Sequence, residues 1–265
     1  MSHEFALMLT LAGVGTAAVA LLMLLLWFVH LRMRNAAIVD VGWAAGLAVF
    51  ALVYAVFGEG DAWRRAIIGG MVAVWGLRLA FYLLRTRVIG HEEDGRYQTL
   101  RRAWGAAAGV RFFVFFEAQA LLAVVLSLPI LLSVVNRRPA LSPFEYAAVI
   151  LWVIALAGEA TADHQLARFK ANPAHRGRTC REGLWNYSRH PNYFFEWLVW
   201  VAYALFALGS PRGYLGLIAP ALMLYFLFRV TGIPATEAQA LESRGEDYRR
   251  YQETTSAFVP WPRSR

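Results

Sequence analysis

The residues best suited to chemistry lie in one stretch, Gly183–Glu196, at the start of an apolar helix. An unpaired charge in lipid hydrocarbon is energetically costly, so ionisable groups there are functional candidates. Asn192 and Glu196 are four residues apart and therefore share one face of the predicted helix. The stretch predicts a polar binding site inside an otherwise apolar protein.

The start of this helix is suited to an anion. Pro191 fits the first helical position, which leaves His190 near the cap and presents free backbone N–H groups. Further cationic donors lie nearby in the sequence: Lys170, Arg176, Arg178 and Arg189. Together these features favour a ligand that carries phosphate.

The elements that must position these groups are membrane helices. Of the 265 residues, 58% are hydrophobic and 17% are charged, whereas a globular domain has about 25% charged residues. A helix needs about 20 residues to cross the hydrocarbon, and seven apolar runs approach that length. They are Ala6–Val29, Ala36–Phe57, Ile67–Leu84, Phe113–Val135, Tyr146–Thr161, Tyr193–Leu208 and Tyr214–Val230. We predict an all-α, polytopic membrane bundle of about seven helices that forms a single domain over residues 1–265.

The basic residues set an orientation. With those spans, 19 of the 26 Lys and Arg residues fall in three loops on one side and in the C-terminal tail. Because basic loops stay in the cytoplasm, we predict an outside N-terminus and a cytoplasmic C-terminus. Topology and anionic membrane lipids explain the net charge of +8 without a nucleic-acid partner. The single cysteine, Cys180, excludes an intramolecular disulfide and a multi-cysteine metal site, and no metal is expected.

The polar residues inside the predicted spans are distributed asymmetrically. Nine of them lie in the cytoplasmic halves: Asp40, Arg78, Tyr82, Glu117, Gln119, Glu159, Asp163, Glu196 and Arg229. If these polar side chains only extended from helix ends to the membrane surface, they would be found on both sides of the membrane. The asymmetry predicts one polar cavity open to the cytosol.

In the tail, the sequence predicts a short helix from Pro234 to about Gly245, followed by a second turn.

The signature Gly183-Leu-Trp-x-Tyr-Ser-Arg-His-Pro-Asn-Tyr193, followed by Glu196 and Trp200, resembles that of the steroid 5-alpha-reductase-like membrane reductases. The match is closest to their bacterial branch of uncharacterised function (DUF1295-like), which implies a location in a bacterial inner membrane. Supporting motifs span most of the chain: Val39–Trp43, Trp75–Tyr82, Glu93–Tyr97, Asp163–Lys170 and Gly245–Tyr248. The resemblance implies a seven-helix bundle that binds NADPH at its cytoplasmic side and reduces a carbon–carbon double bond conjugated to a carbonyl.

The resemblance also implies roles for particular residues. Residues 163–265 would form the cofactor-binding half, after the apolar helices of 1–162. The cofactor-binding residues would be Asp163, Lys170, Arg178, Tyr187, Arg189, His190, Asn192, Glu196 and Tyr248. Steroid-reducing members hold the ketone with a Gln-Glu pair and a Tyr, whereas this chain has Asp40 in place of the pair and Trp75 at the Tyr position. Asp40 and Tyr82 are therefore the expected catalytic residues, and each would donate a hydrogen bond to the carbonyl oxygen of the substrate. The substrate is expected to be an apolar enone that enters from the bilayer.

Other interpretations remain open at this stage. Isoprenylcysteine-type membrane methyltransferases, which bind S-adenosylmethionine, share a similar Arg-His-Pro-x-Tyr motif. A lipid-binding or scaffold protein without catalysis is another class, whereas a transporter fits less well because the polar groups stop at one side. The structural alternatives are an Asp40–Arg78 ion pair, juxtamembrane charges at Arg189 and His190, and a solvated loop at 91–94.

Overall fold

A computed structural model describes residues 3–263, and in this part of the chain all regular elements are helical. The first six helices are α1 (His3–Met33), α2 (Ile38–Phe57), α3 (Ala62–Leu83), α4 (Gly95–Trp104), α5 (Ala108–Leu126) and α6 (Leu128–Val134). The next five are α7 (Pro143–Ala171), α8 (Pro191–Ala207), α9 (Ile218–Arg229), α10 (Ile233–Arg244) and α11 (Glu246–Thr254). A π-helical turn, Leu84–Val88, extends α3.

Six helical segments in the described part are long and apolar enough to cross a membrane. They are His3–Met33, Ile38–Phe57, Ala62–Val88, Gly95–Leu126, Pro143–Ala171 and Gly213–Arg244. The predicted all-α, polytopic membrane fold is therefore confirmed. The remaining predicted span, Tyr193–Leu208, corresponds to α8, whose 17 residues extend about 26 Å at a rise of about 1.5 Å each. The count of seven spans and the orientation stay predictions.

The predicted span Phe113–Val135 is not one continuous helix. It divides at Ser127 into α5 and α6, with Pro129 in the first turn of α6. Proline lacks a backbone N–H, and its ring clashes with the carbonyl four residues earlier, so an α-helix does not run through it unbroken. Buried Ser127 accommodates the break, because its hydroxyl donates to the Val124 carbonyl and contacts the Tyr54 hydroxyl.

The chain divides into two compact units. The first contains the residues up to Tyr146 together with Tyr203–Ala219, and the second contains Ala147–Ala202 together with the residues from Pro220 onward. In the first unit, glycines let helices approach closely. A Cβ at Gly76 of α3 would lie 2.7 Å from the Ala44 carbonyl oxygen of α2, and one at Gly69 would lie 2.7 Å from the Ala55 Cβ. Small residues at these positions therefore bring the two backbones into contact.

A buried ion pair closes one end of the first unit. The Arg64 side chain on α3 binds Glu145 and donates to the carbonyl oxygens of Asn136, Arg138 and Ala140. Glu145 also accepts from the Ser142 amide at 2.6 Å. Both charged side chains are at most 1% exposed. One cation and one carboxylate thus satisfy the backbone of the 136–142 loop, which would otherwise bury unpaired carbonyl groups.

In the second unit, α10 and α11 match the predicted short helix and following turn, and they meet at Gly245, where φ is +54°. Two small cores support the region. One contains Phe169, Cys180 and Trp185, and the other contains Leu227, Ile233 and Phe258. These cores fix the segment 179–190 and the C-terminal tail, which form the candidate site described next.

Candidate functional site

The signature stretch folds as a 3-10 turn, Gly183–Asn186, that leads into α8 at Pro191. Gly183 has φ of +56°, and a Cβ there would lie 2.2 Å from the Gln165 amide nitrogen, so only glycine fits. The turn is fastened to α7 by two hydrogen bonds. The Trp185 indole donates to the Ala162 carbonyl at 2.9 Å, and the Leu184 amide donates to Gln165 at 2.9 Å.

Helices α7 and α8 also pack directly against each other within the second unit. A Cβ at Gly158 would lie 2.3 Å from the Phe195 ring, so this glycine allows the two helices to make close contact. Asp163 lies between the two α7 positions that bind the signature turn and is 4% exposed. Asn192 and Glu196, one turn apart on α8, are half-buried. Asp163, Asn192 and Glu196 therefore belong to two helices that pack against each other, and we call this packed pair of helices the α7–α8 junction.

Glu237 on α10 is the centre of a polar cluster that the sequence analysis did not identify. Its Oε1 accepts from Arg189 Nε at 2.6 Å, lies 3.2 Å from His190 Nε2, and accepts from the Tyr248 hydroxyl at 3.4 Å. Its Oε2 accepts from the Gln252 amide at 2.8 Å. Four side chains from the signature and from α11 thus converge on one carboxylate.

The cluster fixes the predicted residues Arg189 and His190 through protein contacts. Arg189 also donates through Nη1 to the carbonyl oxygens of Gln252 and Thr255, at 2.9 and 2.6 Å. Burial lowers the pKa of the His190 imidazole below its usual value, although the hydrogen bond that it donates to the Glu237 carboxylate opposes this effect. The family resemblance implies that both residues bind the cofactor. Their observed contacts instead hold the signature against α10 and α11. These partners also distinguish the two residues from the unpartnered juxtamembrane charges considered from the sequence.

The C-terminal tail lies along the signature. The Arg189 amide donates to the Ser256 carbonyl at 2.8 Å, and the Ser188 hydroxyl donates to the Phe258 carbonyl at 2.8 Å. The Tyr251 hydroxyl donates to the carbonyls of Trp185 and Ser188. These bonds connect the tail and α11 to residues 185–189, which include the end of the 3-10 turn and the chain that leads into α8.

Three of the remaining predicted cofactor residues of the second unit are more accessible. Lys170 at the end of α7, Arg178 in the following loop, and Tyr187 are exposed, and Tyr187 is 45% exposed. Tyr248, in contrast, is buried against Tyr251 and binds Glu237. The exposed cations offer donors that a phosphate can reach, whereas Tyr248 acts inside the cluster.

In the first unit, Asp40 is surrounded by donors from the segment 87–97. Its Oδ1 accepts from the Tyr97 hydroxyl at 2.6 Å, and its Oδ2 accepts from Arg87 and Arg96 at 3.3 and 3.2 Å. None of these partners is Arg78, the residue considered from the sequence. Because three donors occupy its oxygens, Asp40 acts here as an acceptor, whereas a donor to a carbonyl was expected.

The segment 91–94, considered as a solvated loop, is instead partly built into this network. Glu93 binds Arg101 at 2.7 and 2.9 Å and accepts from the Ala36 amide at 2.8 Å. Asp94 caps α4 and pairs with Arg96 at 3.0 Å. Burial opposes ionisation of both acids, but the arginines outweigh it and hold each pKa below its usual range. The Asp-Gly-Arg capping pattern was the sequence signal for this structure.

Tyr82, the other expected catalytic residue, lies half-buried on α3, one turn after Arg78. Its backbone carbonyl accepts a hydrogen bond at 2.7 Å from the hydroxyl of Thr86, which lies in the π-helical turn. π-helical turns inside α-helices are found frequently at functional sites. Its catalytic role stays a prediction.

These features define a polytopic, α-helical integral membrane protein with a polar cluster at the start of α8. The chain belongs to the family described as "Protein of unknown function (DUF1295)", whose model matches residues 26–255. The match covers most of both units and every predicted site residue. No curated protein and no solved structure matched the chain.

Proposed function

We propose that the protein is a membrane-embedded, NADPH-dependent reductase of a carbon–carbon double bond conjugated to a carbonyl in a lipid-soluble substrate. The observation that carries the proposal is the α7–α8 junction, where buried Asp163 and half-buried Asn192 and Glu196 interrupt two apolar helices. Buried polar groups are expensive in a membrane protein and are retained mainly for function. The junction adjoins the signature that resembles the reductases.

The side chains available at the junction suit the chemistry of such a cofactor. The Asn192 amide both donates and accepts, which matches a carboxamide, and the carboxylates of Asp163 and Glu196 accept from hydroxyl or amide groups. Exposed Lys170 and Arg178 supply positive charge for phosphates. The bound cofactor would supply a hydride to the double bond.

Within this proposal Glu237 has a supporting task. By holding Arg189, His190 and Tyr248, it keeps the signature and the start of α8 in one position. Tyr82 is the proposed hydrogen-bond donor to the substrate carbonyl. Asp40 organises Arg87, Arg96 and Tyr97 instead of meeting the substrate as a free acid.

Ligand-dependent stabilisation tests the proposal directly. A ligand that binds only the folded state raises the melting temperature with its concentration. We expect NADPH to stabilise the detergent-purified chain, whereas S-adenosylmethionine at equal concentration does not. Stabilisation by S-adenosylmethionine alone would identify a methyltransferase, and no response to either ligand would favour a lipid-binding protein.

Variants at the junction locate the site. We expect Asn192→Ala and Glu196→Gln each to weaken NADPH binding by about 1–3 kcal/mol, the cost of removing a buried polar partner. Glu242→Gln on the exposed side of α10 is the matched control and should bind as the parent does. Unchanged affinity in both junction variants would remove the site from α8.

A further inference from the structure

The arginines at one end of the first unit fall into two groups. This end comprises the last residues of α1 and α3, the helix α4, and the start of α5. The Trp27 indole donates to the Gly109 carbonyl at 2.9 Å, which places the end of α1 beside the start of α5. The Asn35 amide donates to the carbonyls of Arg87 and His91, which places the chain after α1 beside the π-helical turn.

The inner group consists of arginines that pair with acids of the same unit. Arg87 and Arg96 bind Asp40, and Arg101 binds Glu93. Each of these guanidinium groups is about two-thirds or more buried, with side-chain exposures between 27 and 34%. The acids of this end are therefore largely used inside the protein.

The outer group faces outward. Its members are exposed and, among residues 3–263, have no carboxylate within ion-pair distance; they are Arg32, Arg34, Arg85, Arg102 and Arg111, which we call the arginine collar. Glu92 is an exposed acid of the same end, so positive charge is in excess. The π-helical turn contains one arginine of each group. Arg87 binds Asp40 and belongs to the inner group, whereas Arg85 lies over the Phe81 ring at 4.6 Å and belongs to the outer group.

Exposed apolar side chains accompany the arginine collar. Phe81 is 57% exposed, Ile89 58% and Val110 69%. Phe81 lies near the end of the apolar segment Ala62–Val88, Ile89 directly follows this segment, and Val110 lies within Gly95–Leu126. Guanidinium groups beside exposed apolar side chains match the boundary between phosphate headgroups and acyl chains.

We propose that the arginine collar binds the phosphate groups of anionic phospholipids in the leaflet at this end, while Phe81, Ile89 and Val110 contact their acyl chains. Arginine is suited to this task because its planar fork binds phosphate oxygens in pairs. A general excess of basic residues predicts only which side faces the cytoplasm. The separation into paired inner and unpaired outer arginines adds a defined lipid-binding surface, independent of any cofactor.

The test compares two lipids on the detergent-purified full chain. Phosphatidylglycerol should raise the melting temperature more than phosphatidylcholine at the same mole fraction, and added salt should reduce the difference. In the double variant Arg85→Gln/Arg102→Gln, we expect the difference to fall to less than half. The control Arg249→Gln/Arg250→Gln removes two exposed arginines of α11, which neighbour Glu246, and should keep the full difference.

Three results would overturn the proposal. The first is an equal response to both lipids, and the second is a full phosphatidylglycerol effect in the collar variant. The third is the same stabilisation by inorganic phosphate, which would assign the surface to a soluble anion. If Arg85→Gln/Arg102→Gln does not purify as a folded protein, Arg32→Gln/Arg111→Gln removes two other members of the collar, with the same expected outcome.

Discussion

Glu237 accepts a hydrogen bond from Arg189 across 2.6 Å and so joins α10 to the residue pair that precedes α8. The two side chains are 15 and 12% exposed, so water screens the pair only weakly. The same carboxylate contacts His190, Tyr248 and Gln252. A single acid thus connects the signature to both C-terminal helices.

Replacing this acid should destabilise the second unit strongly. We expect Glu237→Ala to cost about 3 kcal/mol, because it leaves the largely buried Arg189 guanidinium without its counter-charge. Thermal unfolding in detergent measures the effect. Glu242→Ala, an exposed acid on the same helix, should change the melting temperature little. Equal melting temperatures for the two variants would contradict the central role of Glu237.

The buried His190 should make stability depend on pH. Burial lowers the pKa of its imidazole in the folded state below the usual 6.5. As pH falls, the unfolded chain therefore takes up the proton first, and the folded state loses stability below about pH 6.5, by at most about 1.4 kcal/mol per pH unit. Above that pH the contribution is fully present.

We expect the melting temperature to fall between pH 7.5 and pH 5.5, a range above the usual pKa of carboxylates. His190→Gln should flatten this part of the profile, whereas His91→Gln, at an exposed position, should not. A profile that stays equally steep in His190→Gln would assign the pH dependence to another group.

Parts of the fold follow from hydropathy, and others depend on long-range contacts. The membrane class, the start of α8 at Pro191 and the end of α10 before Gly245 were predictable, because length, proline and glycine act locally. The break at Ser127 is also encoded locally by Pro129, but averaging hydropathy over the apolar run conceals it. Local patterns therefore predict helix ends better than helix continuity.

The candidate site was predictable only in part. Spacing places Asn192 and Glu196 on one face, and the structure agrees that both lie on α8. It does not reveal that Arg189 meets an acid 48 residues later, or that Asp40 meets Tyr97, 57 residues away. Helical period indicates which face is polar, whereas the choice of partner depends on how the connecting segments fold back.

The Arg64–Glu145 pair should be essential for the first unit. Arg64→Met leaves a buried carboxylate without a cation, and we expect it to cost about 3–5 kcal/mol, with a large fall in melting temperature. The double variant Arg64→Met/Glu145→Leu removes both charges and should recover part of the loss. The nearby exposed pair of Arg137 and Glu59 provides the comparison, because its arginine is 65% exposed.

For that exposed pair, we expect Arg137→Gln to change the melting temperature little, because solvent screens an ion pair at a surface. A double variant at 64 and 145 that is less stable than Arg64→Met would show that the loop carbonyls, and not the carboxylate, dominate the cost.

Tyr82 and Asp40 should affect turnover in different ways if the proposed reductase activity is correct. Tyr82→Phe removes only a hydroxyl, and we expect it to lower kcat about 100-fold, the scale of a lost proton donor, with unchanged NADPH affinity. Asp40→Asn weakens the contacts with Arg87 and Arg96, so it should lower the melting temperature as well. Turnover of candidate enones, measured by NADPH oxidation alongside thermal unfolding, separates the two effects.

Tyr225→Phe on α9, where the tyrosine is 57% exposed, is the control and should remain active. Normal turnover in Tyr82→Phe would shift the hydrogen-bond donor to another residue, and a lowered NADPH affinity would instead assign Tyr82 to cofactor binding.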